Sequence, residues 1–144
     1  MAHRTFFSFH YERDVWRASN VRMSSQLSAA DEEWIEASLW ESVKANDAQL
    51  QRLIDNAVAR TSVTAVLIGA QTASRRWINY EIQASIANSK GLFGIYIHNI
   101  RDQFGQRDSR GANPLPAGYP VYDWVNDGGR ANLGSWVDAA YDRR

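Results

Sequence analysis

Cysteine is absent from the 144 residues, which excludes disulfides, thiolate zinc sites, cysteine nucleophiles and iron–sulfur clusters. Histidine is scarce. His3, His10 and His98 fit no metal-ligand spacing, and no metal is expected. An excess of one charge is also missing. Sixteen Lys and Arg balance sixteen Asp and Glu, which argues against a strongly basic nucleic-acid binder. No apolar run approaches the ~20 residues that span a bilayer, so no membrane partner is expected. Several phosphate and nucleophile motifs are absent as well: the P-loop, the dinucleotide G-x-G-x-x-G after the first strand, and the G-x-S-x-G elbow. The first strand also ends without the acidic residues of a phospho-acceptor receiver, and without the Ser/Thr/Gly-rich turn of an FMN phosphate loop.

What is present is ordinary globular composition, 44% apolar and 22% charged, with enough chain for one well-buried core. A single domain over 1–144 is expected. Met1-Ala2-His3-Arg4 leads straight into a strand-like segment rather than an apolar leader, and a cytoplasmic location is expected.

Along the chain, Thr5-Phe6-Phe7-Ser8-Phe9 is short, aromatic and strand-like, with polar His10 to Asp14 after it. Asp14 is a candidate cap for a helix through Val15, Trp16, Ala18 and Val21. Residues 23–33 read as a loop, and Asp31 to Lys44 as a short amphipathic helix or an irregular aromatic segment. Leu50, Leu53, Ile54, Ala57 and Val58 follow helical spacing without a miss, with a start at Asn46 or Asp47. Val63 to Ile68 is a continuous β-branched run of the kind found in strands covered on both faces. A helix from about Ser74 to Ser89, ended by Gly91, precedes a second buried strand, Leu92 to Ile97. Residues 99–120 hold all three prolines and form a long loop of a length often tied to function. Val121 to Trp124 reads as a short edge strand, and Leu133 to Tyr141 as a last amphipathic helix.

Strands alternating with helices imply an α/β sandwich of three layers around a mostly parallel sheet. Ligands of such sheets sit in the crevice beyond the carboxyl ends of the strands. Those ends are Phe9-His10-Tyr11, Gly69 to Thr72, and Ile97-His98-Asn99.

The segment following the second of these ends, Thr72 to Ile82, carries the most chemistry. Trp77 and Glu81 are four apart and share a helix face, beside the apolar stripe Ile78, Ile82 and Ile86. A carboxylate at the core edge next to an indole suits chemistry that develops positive charge, such as the oxocarbenium-like state of glycosidic cleavage. Trp77 offers a stacking surface for a flat heterocycle. Plainer roles stand beside these: Glu81 as a solvated partner of Arg75, Arg76 or Lys90, Trp77 as core, and His10 and Tyr11 as loop residues. Arg75 and Arg76 could bind a pyrophosphate bidentately or form a surface pair near the helix start. Asn113, in a Gly-x-Asn-Pro turn, is a turn former first and a ligand contact second.

The chain resembles the TIR-like domain family, with a flavodoxin-like topology, and within it the TIR proteins of the bacterial Thoeris anti-phage system. The resemblance runs in order through Phe6 to Tyr11, Ser38-Leu39-Trp40-Glu41, Thr61 to Gly69, Arg75-Arg76-Trp77 to Ile82, Gly94 to His98, and Val121 to Val125. The Arg-Asp-x-x-Pro-Gly loop of animal signalling TIRs is missing. The resemblance implies an enzyme that takes NAD as substrate, with no separate cofactor, and releases nicotinamide. Its product would be a cyclic ADP-ribose isomer, a messenger that activates a separate effector protein. It makes Glu81 catalytic and places Phe9, His10, Tyr11 and Trp77 as candidate substrate contacts, which Arg76 and Asn113 join from the reading of the residues alone. It also implies a phage-derived trigger and homo-oligomeric assembly. A non-catalytic adaptor or sensor acting through oligomerisation, and a nucleotide binder that does no chemistry, remain the alternatives.

Overall fold

The apolar run at Val63–Ile68 has no solvent-facing side, and it lies at the centre of the sheet. The computed structural model describes residues 3–23, 32–34 and 46–144, the backbone alone at 32–34. Within them, strands β1 (Thr5–Ser8), β2 (Glu32–Trp34), β3 (Val63–Ile68), β4 (Gly91–Tyr96) and β5 (Val121–Asp123) join in the order β2-β1-β3-β4-β5. Every neighbouring pair is parallel, with Thr5 opposite Val63 and Ile68 opposite Tyr96. This is the α/β sandwich that the alternation of elements predicts, with the flavodoxin-like and TIR-like topology that the resemblance implies, and Val121–Asp123 is the expected edge strand.

Helices cover both faces: α1 (Tyr11–Met23), α2 (Asp47–Arg60), α3 (Arg76–Ala87) and α4 (Gly129–Arg143). Side chains alternate across a strand, so β3 divides its residues between two cores. Val63, Ala65 and Leu67 pack with Phe7, with Ala18 and Val21 of α1, and with Leu133, Trp136 and Val137 of α4. Val66 and Ile68 pack with Ile78 and Ile82 of α3. Leu50, Ile54 and Val58 of α2 close on Trp77, joining α2 to α3.

Three boundaries differ from the sequence reading. Asp14 lies inside α1 rather than capping it; its amide donates to the His10 carbonyl, at 2.9 Å. The helix expected to stop at Gly91 ends at Ala87. Its reversal uses Ser89 at φ 55°, a left-handed conformation that costs a non-glycine residue energy, while Gly91 begins β4. Glu32–Trp34, read as loop and helix start, is a strand because parallel pairing to β1 is available to it. The other residues of the 24–45 segment, Ser38 to Glu41 included, lie outside the described residues. At Asn46 the expected start holds: its side chain accepts from the Gln49 amide, and the Gln49 side chain reaches back to the Asn46 amide.

Candidate functional site at the β1/β3 seam

The strand order reverses between β1 and β3, since the chain goes to β2 on one side and to β3, β4 and β5 on the other. A crevice forms at such a reversal because the connections leave the two strand ends in opposite directions. Ser8 ends β1, and Gly69 follows the end of β3. The groups gathered around these two points define the candidate site.

Glu81 reaches the seam from α3. It is 1% exposed, and the fully buried Ser8 hydroxyl donates to its Oε2 atom. Its backbone is fixed too. Ser85 Oγ donates to the Glu81 carbonyl at 2.8 Å and lies 2.7 Å from the Thr64 hydroxyl on β3. Helical spacing explains the placement. Ile78 and Ile82 lie on the sheet, Trp77 turns toward α2, and Glu81 shares its face with Trp77 one turn away. The side chain is therefore not the solvated helix carboxylate of the plainer reading.

His10 is buried just beyond Ser8, and its Nδ1 has no hydrogen-bond partner among the described residues. Burial, reinforced by the Arg75 charge, holds its pKa below the ordinary histidine value, so the imidazole is neutral at pH 7. A neutral ring can accept or donate a hydrogen bond to a ligand at the strand ends.

Asp14 reaches the seam from the other face. It is 0% exposed, and among the described residues neither carboxyl oxygen has a partner at hydrogen-bond geometry. Burial pushes its pKa up to about 6; Arg13, and to a smaller degree Arg17 and the nearby Thr72 hydroxyl, oppose the shift, and Asp108 adds to it. Its carboxyl lies so close to Gly69 that a Cβ there would collide with it. The long loop presses on the same point from outside, because a Cβ at Gly111 would collide with the Gly69 carbonyl. Arg17 holds this loop by donating to the Ile100 and Gln106 carbonyls at 2.7 and 2.9 Å, and Arg13 pairs with Asp108 at 2.8 Å.

The other residues singled out from the sequence are held by core packing, a surface ion pair or a turn. Phe9 is buried in the α1/α4 core, and Tyr11 packs against the same core with its ring 6.3 Å from that of Phe9. Trp77 is 4% exposed and wedged between α2 and Tyr80, so it is a packing residue here. The Arg76 side chain is 65% exposed, pairs with Asp47 at 2.7 Å and lies over the Trp77 ring. Asn113 is exposed, and its Oδ1 accepts from the Leu115 amide, the turn-forming role of its motif. A cleft of ≈ 380 Å³ opens at the carboxyl ends of β4 and β5, lined in part by His98, Asn99, Arg110 and Asp123. Another of ≈ 320 Å³ lies at the opposite end of the sheet, beside Gly91.

Sequence reasoning missed Ser8 and misread Asp14. The signal for Ser8 was present: it is the single polar side chain between Phe7 and Phe9. Asp14 looked like a cap because acidic residues favour helix starts.

Residues 6–102 match the family model described as "Thoeris protein ThsB, TIR-like domain". The chain is also similar to a Bacillus cereus (strain MSX-D12) protein described as "Putative cyclic ADP-D-ribose synthase ThsB1". The two are 39% identical over 146 residues, spanning 99% of this chain and 75% of that protein.

Proposed function

The chain belongs to the ThsB TIR-like domain family of Thoeris defence, and from that premise we propose that it cleaves NAD to make a signalling nucleotide. The bond from the ribose C1′ to the nicotinamide nitrogen breaks, and its electron pair leaves with nicotinamide. The cationic sugar is captured at C1′ by a nucleophilic group of the same molecule, whose proton passes to solvent, giving a cyclic ADP-ribose isomer without net oxidation or reduction. Glu81 supplies negative charge beside the developing oxocarbenium, where a water-poor setting makes that charge most effective. The neutral His10 ring is available to orient the substrate at the strand ends. The messenger then acts on a separate effector in the cytoplasm, after a phage-derived trigger and with assembly of several copies.

The observation that carries this reading is the buried Glu81 carboxylate held by Ser8 at the β1/β3 seam. The similarity to a protein described as a cyclic ADP-D-ribose synthase supports the product class. Incubation of the chain with NAD and an extract of phage-infected cells should release nicotinamide, and Glu81→Gln should reduce kcat by roughly 1,000-fold, about 4 kcal/mol of transition-state stabilisation, while leaving the melting temperature near that of the wild type.

A second reading is favoured by the same burial. At 1% exposure Glu81 has little surface to offer a substrate, as in a non-catalytic adaptor or a nucleotide binder. That reading expects no nicotinamide release and self-association or nucleotide binding indifferent to Glu81→Gln.

A further inference from the structure

We propose that Ser8 is a positioning residue for Glu81, holding its carboxylate in the one orientation that serves the reaction; this rests on the NAD-cleaving reading above. Ser8 is the last residue of β1, and strand alternation turns Phe7 into the α1/α4 core and Ser8 toward α3. Its hydroxyl is fully buried and donates to Glu81 Oε2 across 73 residues of sequence. A glutamate has three side-chain torsions to fix, and an apolar wall cannot fix them by direction. A hydrogen bond from a rigid strand can. The backbone beneath Glu81 is held separately, by Ser85 and through it by Thr64. The helix therefore stays in place without Ser8, and what Ser8 adds is the orientation of the carboxylate. Serine suits the task because it supplies a donor with almost no volume, at a point where Phe6 and Val66 already fill the layer.

The test compares Ser8→Ala, Ser8→Cys and Ser8→Thr with the wild type and with Glu81→Gln, following nicotinamide release from NAD in the presence of an extract of phage-infected cells, and thermal melting of the full chain. Ser8→Ala should lower kcat roughly 10- to 100-fold, the scale of a small misplacement of a reacting group, with KM within about threefold. Ser8→Cys, similar in shape and a weak donor, should stay low. Ser8→Thr, which keeps the hydroxyl, should return kcat to within about threefold of wild type. Should its extra methyl unfold the protein, the Ser8→Cys result decides alone: a folded, slow Ser8→Cys supports the proposal, and a folded Ser8→Cys at wild-type kcat overturns it. A Ser8→Ala protein with wild-type kcat, or with a change confined to KM, also overturns it. A folded Ser8→Thr protein as slow as Ser8→Ala makes Ser8 a packing residue and overturns it too. If Glu81→Gln turns over like the wild type, or the wild type releases no nicotinamide, the NAD-cleaving reading itself has failed and Ser8 falls with it.

Discussion

Two carboxylates flank one seam of the sheet, and they are treated in opposite ways. Glu81 comes from α3 and Asp14 from α1, and both are withdrawn from water. Glu81 receives a donated hydroxyl from Ser8. Asp14 receives no hydrogen bond of good geometry from the described residues, and burial raises its pKa to about 6. Burial alone therefore does not assign a role to an acid. A donor stabilises the ionised form, and an undonated cavity favours the neutral one. The α3 side of the seam gives its carboxyl group a donor on the end of a rigid strand. The α1 side holds a compact acid between Gly69 and the clamped loop.

The largest effect that can sharpen this contrast is on the α1 side. If that face is packing rather than pocket, Phe9→Ala should cost about 3–5 kcal/mol of stability, read by urea unfolding. A stable Phe9→Ala protein with impaired NAD turnover would instead move the ring into the site. Asp14 comes next. Its folded pKa of about 6 lies above the ordinary aspartate value of 3.8, so the folded state holds the proton more tightly than the unfolded chain. Stability should fall as pH rises from about 4 to about 6, by up to about 3 kcal/mol, and stay at the lower level above that. Asp14→Asn should remove this slope and leave the protein more stable than wild type at pH 8. Urea midpoints between pH 4 and pH 8 provide the check, and an unchanged slope would mean that Asp14 has partners enough to stay charged. The smallest effect belongs to Arg76, whose exposed pair with Asp47 should be worth less than about 1 kcal/mol. Arg76→Ala should barely move the melt, and an accompanying rise in the KM for NAD would restore Arg76 as a pyrophosphate contact.

Where hydrophobic pattern carries the information, the sequence was legible. The β-branched run at 63–68 became the central strand, the spacing from Leu50 to Val58 became α2, and Asn46 capped it as expected. Trp77 and Glu81 fell on one helix face because the period of 3.6 dictates it. Pattern says nothing about which of two buried faces a strand-end residue enters, so Phe9 and Tyr11 could not be separated from Glu81 by sequence. It also cannot show that an acid in the first turn of a helix points inward. Asp14 is held there by the glycine at position 69, 55 residues away, a contact that only the folded chain creates.

Nicotinamide release from NAD by wild type and Glu81→Gln, in the presence of an extract of phage-infected cells and compared at equal thermal stability, tests the central claim most directly. The account predicts turnover in the wild type and a loss of roughly 1,000-fold in the variant. Equal rates in two equally folded proteins would contradict it, leaving the architecture and taking the chemistry away from the seam.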